Sequence, residues 1–281
     1  MQQRSTKIKV LSNEIRHDAE VLKKRFNCER EIVSTKLDIV ALIPARSGSK
    51  GVKDKNLLLL NGHPLIGFSV ASANQSKLIS EVYITTDSEK YASIAKSYGA
   101  IVPFLRPEGI SNDFSTDKEF FLHFIDWCKE NRSSVPDMIV HLRPSSPLRD
   151  FLLIDEAIQK LIDQPEASSL RSCQNTEITP YKLFFENNSY MEPCMSLSSY
   201  KESYNMPRQI FPKTYLPNGY VDIIRPKVLI NSGSLHGEKI LLNLTPKTAD
   251  IDDIHDYESA KQLLDSEEYS ALNMYLMKSG L

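Results

Sequence analysis

Between Pro44 and Asn56 the chain reads PARSGSKGVKDKN, and Arg46, Lys50, Lys53 and Lys55 place four cations within ten residues. Gly48 and Gly51, with Ser47 and Ser49, let the backbone approach a ligand closely. Successive N–H groups in such a loop can form a concave anion nest. A triphosphate needs this combination, donors for its oxygens and fixed cations for its charge. The competing reading is a solvated lysine-rich turn. The spacing is not that of G-x-x-x-x-G-K-[ST], which disfavours an ordinary P-loop ATPase, and G-x-G-x-x-G is missing, which disfavours a dinucleotide enzyme.

The elements around the loop decide between these readings. LDIVALI (37–43) is a short apolar, β-branched run that predicts a buried strand. The basic loop follows directly, and ligands of parallel α/β sheets bind outside the carboxyl ends of strands. A helix is expected over 64–76, a strand over 81–87, a helix over 88–99 closed by Gly99, and a strand over 100–106. Then come a helix over 115–132, a strand over 137–144 and a helix over 150–164. This alternation predicts parallel β-α-β units, a doubly wound, mostly parallel sheet with helices on both faces. Residues 179–195 break the rhythm as two strands around a turn at 186–189, an inserted hairpin. Strands return at 218–226 and 239–245, before a last helix from about 254 to 266.

The flanks and bulk properties bound the rest. Ile8, Leu11, Ile15, Ala19, Leu22 and Phe26 recur at spacings of three and four, which predicts an amphipathic helix in residues 1–36. Such a stripe serves as a packed accessory or as a partner-binding face, the former being commoner. Residues 37–270 read as the main domain, with 179–215 as the inserted hairpin segment, and 271–281 as a C-terminal tail. A composition of 41% hydrophobic and 25% charged residues in 281 is that of an ordinary globular chain. A formal net charge of -2 gives no reason to expect nucleic acid. Cys28, Cys128, Cys173 and Cys194 have neither zinc-site nor disulfide-framework spacing. No apolar run approaches the ~20 residues that cross a bilayer, so a soluble cytoplasmic protein is expected.

IPARSGSKGVKDKN followed by NGHPLIGFSV resembles the opening signature of the acylneuraminate (CMP-sialic acid) cytidylyltransferases. Later blocks follow in the same order: TTD at 85–87, DFSTD at 113–117, LRPSSPLRD at 142–150, PRQ at 207–209, PNG at 217–219 and DIDDIHD at 250–256. The resemblance implies a Rossmann-like nucleotidyltransferase that works as a homodimer, with Mg²⁺, CTP and a nine-carbon nonulosonic acid such as sialic or legionaminic acid. By position, Arg46, Ser49, Lys50 and Lys55 would contact the CTP phosphates, with Asn56 beside the nucleotide and Thr116 near nucleotide and sugar. Thr116 is equally readable as the start of a capping box with Glu119. Arg208 and Gln209 would belong to the dimer-linked segment that reaches the sugar. Sialic acid members commonly carry glutamine where this chain has Arg143, a sugar-side position. Arginine there is a fixed cation able to grip a carboxylate.

The implied chemistry is in-line attack of a sugar hydroxyl on the α-phosphorus of CTP, with pyrophosphate leaving. Arg46, Lys50 and Lys55 can supply the cations for the leaving group. Mg²⁺ takes a few carboxylates plus substrate phosphates, and Asp250 and Asp252 are the best candidates. As D-x-D at a strand end, both would project to one side. An eight-carbon sugar acid, or a catalytically silent nucleotide-binding role, are the alternatives.

Overall fold

A computed structural model of the chain describes residues 37–48, 52, 54–264, 266 and 269–278. The expected N-terminal helix, Ser49, Lys50 and Lys53 lie outside the described residues. Strand β1 (Ile39–Pro44) is buried on both faces. Ile39, Ala41 and Ile43 enter one core cluster, and Val40 and Leu42 enter the other. A strand covered on both sides is apolar throughout instead of alternating, which is why the run was legible. The short pair β2 (Leu59–Leu60) and β3 (His63–Pro64) then leads into α1 (Leu65–Gln75), β4 (Glu81–Thr85) and α2 (Glu89–Ser97). Next come α3 (Asp117–Asn131), β5 (Met138–His141), α4 (Phe151–Ile162) and β6 (Ser169–Asn175). The hairpin is β7 (Phe184–Asn187) and β8 (Tyr190–Pro193). The chain ends with β9 (Tyr215–Ile224), α5 (Pro226–Ser232), β10 (Ile240–Leu244), α6 (Ile254–Leu264) and α7 (Ser270–Lys278).

Six strands form one sheet in the order β10-β6-β9-β5-β1-β4. Pairing is parallel except at β9, which runs antiparallel to both neighbours, β5 and β6. Helices α1, α2 and α4 cover one face, and α3 and α5 cover the other. Phe121 and Phe124 of α3 are fully buried, each contributing roughly 1.5–3 kcal/mol by burial. The mixed α/β architecture with a mostly parallel sheet is the one expected. Among the described residues no helix is long and apolar enough to cross a membrane.

Three local expectations change. Residues 100–106 make isolated bridges at Ile101 and Leu105 in place of a strand, since Pro103 between them cannot donate to a ladder. Strand β6, SLRSCQN, carries no apolar strand signal, because its side chains are largely polar although much of it is buried. Residues 271–278 of the expected tail, with Ser270, form α7. Its Leu272 and Leu276, one helical turn apart, are buried with Leu264 and Tyr269 against Leu65 and Phe68 of α1.

Candidate active site

The basic loop leaves the carboxyl end of β1 and is clamped at both ends. The Ser47 backbone N–H donates to Asp87 Oδ1 at 2.7 Å, and its hydroxyl donates to Oδ2 at 2.6 Å. Asp54, at a left-handed φ of 52°, accepts from the Tyr91 hydroxyl at 3.0 Å. Buried Asn56 donates to the Arg46 carbonyl at 3.1 Å, tying the exit of the loop to its entrance. Asp87 and Tyr91 follow β4, so the neighbouring strand and helix fix a loop that short-range propensity leaves open.

Beside the loop lies a cavity of about 540 Å³, lined among others by Arg46, Lys55, Asn56, Arg106, Thr116, Asp117, Phe120, Arg143 and Asp252. Its cations are held by carboxylates: Arg46 by Asp113 at 2.9 Å, and Lys55 Nζ by Asp252 at 2.8 Å. Arg106 differs. It is 5% exposed, donates from Nε to Ser111 Oγ at 3.1 Å, lies over the Phe120 ring, and leaves one terminal nitrogen without a hydrogen-bond partner. Burial pulls its pKa down, partly countered by Asp87. A buried donor without an acceptor is costly, and it fits a ligand that brings one. Thr116 lines the cavity and also caps α3. Its backbone N–H donates to Glu119 Oε2 at 2.5 Å and its hydroxyl to the same oxygen at 3.0 Å. The two sequence readings of Thr116 are thus compatible.

Arg143 is on the cavity wall, but it is not a free cation. It donates to Asp117 Oδ2 at 2.9 Å and to Asp222 Oδ2 at 3.0 Å. Burial pulls its pKa down, and Asp222 and Asp117 outweigh that to leave it raised. The fixed cation read at this sugar-side position thus has its charge balanced by Asp117 and Asp222 within the chain. Fully buried Arg149 is structural. It donates to the carbonyls of Tyr220, Arg143 and Gly219 and to the Ser69 hydroxyl, binding the 143–149 loop to β9, and burial pushes its pKa down to about 10. Gly219, at φ +66°, lies in that contact, where an added Cβ would meet Ser146 Oγ at 3.3 Å.

Asp250 and Asp252 are not in a strand. After Leu244 the chain leaves the sheet edge and crosses toward β1. Its path is fixed by Asn218, which bonds the Thr245 hydroxyl, and by the Ile251 N–H, which donates to the Ser145 carbonyl at 2.7 Å. Ile251 is buried beneath α1 and α6. The two acids flanking it are exposed: Asp252 on the cavity beside Lys55, and Asp250 accepting from Ser146 at 3.3 Å. Asp253 caps α6, accepting from the N–H groups of His255 and Asp256, and those bonds, Asp256 first, lower its pKa. Among the described residues no group of three or more His, Cys, Asp or Glu could hold a metal. A two-carboxylate edge beside a cationic cavity fits an ion that takes most of its ligands from substrate phosphates and water, as Mg²⁺ does.

The structure therefore brings Arg46, Lys55, Asn56, Thr116, Arg143 and Asp252 together on the cavity, with Asp250 two positions along the chain from Asp252. Arg208 and Gln209 do not line this cavity; both are exposed, and Arg208 pairs with Glu177 at 3.1 Å. The sequence reading missed Arg106, Asp117 and Asp222. The arginine of FLRP is the last residue of the expected strand 100–106, and a strand's carboxyl end is a usual ligand-facing place. The signal for Asp222 is an acid inside the apolar run YVDII.

A doubly wound sheet with a clamped, cationic loop and a polar cavity at its carboxyl edge defines a nucleotide-binding α/β protein of the phosphate-handling kind. The chain belongs to the cytidylyltransferase family, whose model matches residues 40–195. It is 31% identical over 239 residues, 84% of its length, to an N-acylneuraminate cytidylyltransferase of Escherichia coli O18:K1:H7, and spans about half, 54%, of that relative. A CMP-N,N'-diacetyllegionaminic acid synthase of Legionella pneumophila is 31% identical over 81% of this chain and 96% of its own. A pseudaminic acid cytidylyltransferase of Campylobacter jejuni is 26% identical over 83% and 98%. A CMP:2-keto-3-deoxy-manno-octonic acid synthetase solved with CTP shares the fold, with a TM-score of 0.59 at 18% identity over 81% of this chain and 98% of that one.

Proposed function

We propose that the protein transfers the cytidylyl group of CTP to a nine-carbon sugar acid of the sialic, legionaminic or pseudaminic kind. The anomeric hydroxyl attacks the α-phosphorus, the bond to the β-phosphate oxygen breaks, and pyrophosphate leaves. The observation that carries this reading is the cavity itself, where Arg46, Lys55 and Arg106 converge at the carboxyl edge of the sheet in a chain of this family. Catalysis of this class is mostly positioning and charge neutralisation. Arg46 and Lys55, with Ser49 and Lys50 of the same loop, would take the phosphates, Arg46 and Lys55 exchanging their carboxylate partners for phosphate oxygens. Asn56 would sit beside the nucleotide, and Arg106 would donate its free N–H to a nucleotide acceptor. Thr116 would lie near both nucleotide and sugar, and Arg143 would face the sugar.

Asp252 and Asp250 would hold Mg²⁺, which when bound neutralises phosphate charge. Arg208 and Gln209, remote from their own cavity, would reach the sugar site of a second copy in a homodimer. A CTP-consuming reaction of this kind belongs in the cytoplasm. The names of the sequence relatives favour nine-carbon acids over the eight-carbon alternative. The test is pyrophosphate release with CTP, UTP, ATP and GTP against a panel of sialic, legionaminic and pseudaminic acids. CTP with one of these acids should be strongly preferred. Equal release with UTP, or none with any acid of the panel, overturns the reading.

A further inference from the structure

Residues 220–224 of β9, YVDII, are all buried, yet the middle one is an acid. Asp222 is 1% exposed, and strand register sets it opposite His141 of β5 and Arg171 of β6. Its Oδ2 accepts from Arg143 at 3.0 Å and lies 3.5 Å from Arg171 Nε. A carboxylate in a sheet interior is retained at a cost in desolvation, so its partners show what it does. Arg143 is gripped again from the other side by Asp117 at the start of α3. Two of the five guanidinium N–H groups are thereby committed, and planarity fixes the direction of the others. Arg143 and Arg171 carry two positive charges, and Asp117 and Asp222 carry two negative ones, so the cluster is neutral. Arg143 and Asp117 line the cavity, and Asp222 of β9 holds Arg143 from outside that lining. A neutral cluster has little attraction for a carboxylate, but it presents N–H donors at fixed angles.

We propose that Asp222 is a positioning residue for Arg143, and that the pair builds a charge-neutral donor subsite for an uncharged acceptor of the sugar acid, a hydroxyl or an amide carbonyl. This inference rests on the cytidylyltransferase reading and names which part of the sugar the site selects.

The experiment compares wild type, Asp222→Asn, Arg143→Gln and the double variant. The KM for the sugar acid is measured by pyrophosphate release, and CTP affinity is measured by calorimetry without sugar. Asp222→Asn should raise the sugar KM by about tenfold or more, the scale of a lost charge-assisted hydrogen bond. CTP affinity should move by less than about twofold, within ordinary context effects. In the Arg143→Gln background the second change should add nothing, because there is no guanidinium left to hold. Wild type should also prefer the N-acylated sugar acid over its free-amine form, and Arg143→Gln should narrow that preference. An unchanged sugar KM in Asp222→Asn, or full additivity in the double variant, overturns the inference. If Asp222→Asn does not fold, the more exposed Asp117→Asn must give the same sugar-selective rise, and its failure to do so also overturns it. A wild type inactive with every acid of the panel rejects the cytidylyltransferase reading itself, an outcome distinct from an active enzyme indifferent to Asp222.

Discussion

Asp250, Asp252 and Asp253 are three neighbouring acids with three different surroundings, and substitution can separate their roles. Asp253 caps α6 with its side chain, and asparagine caps as well as aspartate. Asp253→Asn should therefore keep both activity and melting temperature. Asp252 faces Lys55 on the cavity, and Asp250 hangs on Ser146. If these two hold Mg²⁺, Asp250→Asn and Asp252→Asn should each lower turnover by about a hundredfold or more, the scale of losing a group that stabilises transition-state charge. Both are solvent-facing, so folding stability should stay within about 0.5 kcal/mol. Pyrophosphate release over a Mg²⁺ series, with thermal melts of all three variants, checks this; near-wild-type rates at both 250 and 252 would remove the metal assignment. At this scale the cations of the β1 loop were readable from composition and place. Arg106 was not, because one arginine in a loop gains meaning only from the ring and orphaned nitrogen beside it.

The element that most invites a partner is the hairpin. Its turn residues Asn188 and Ser189 have φ of 50° and 68°, the left-handed values a two-residue hairpin turn of the primed type requires. Phe184 packs on Tyr204 at 5.1 Å, whereas Leu183, Phe185, Tyr190, Met191 and Met195 are exposed. Strand register puts Phe185 and Tyr190 on one face of the hairpin and Met191 on the other, and exposed apolar side chains concentrated on one segment mark an interface. The proposed homodimer should thus be seen by light scattering at micromolar concentration. Replacing Tyr190 and Met191 with serine should shift it toward monomer and lower activity, since Arg208 and Gln209 would no longer meet a second cavity. A fully active monomer contradicts this. The hairpin was legible because a turn between short apolar runs is a local signal. The 245–253 crossing was not, because its course depends on Asn218 and Ser145, both distant in sequence.

For the molecule as a whole, buried imidazoles tie stability to pH. His141 is held well below its ordinary pKa, by burial first and then by Arg143 and Arg149. His123 and His236 are lowered as well, again chiefly by burial. Below about pH 6.5 the unfolded chain binds protons that the folded one refuses, so stability rises with pH up to that point and these groups add no further slope above it. Fully buried His141 sets the steepest part of that slope, at most about 1.4 kcal/mol per pH unit for one proton below the unfolded pKa. The melting temperature should fall between pH 7 and pH 5.5. His141→Asn should flatten that fall even if it lowers stability at pH 7. Parallel curves for the two proteins would show that His141 is not the group responsible.

Local pattern and covalent spacing determined that this chain alternates strands and helices, that a cationic loop follows the first strand, and that ordered blocks mark a nucleotide-handling family. Those properties are short-range: hydrophobic period, turn chemistry and the charge of neighbouring residues. Tertiary structure decided how the blocks meet. It closed Ser47 onto Asp87, brought Asp252 from the far end of the chain to Lys55, and balanced the Arg143 cation with Asp117 and Asp222. Such pairings join residues up to nearly 200 positions apart, 197 between Lys55 and Asp252. Only the sheet order and the burial it imposes can select them, because no local preference links residues so distant.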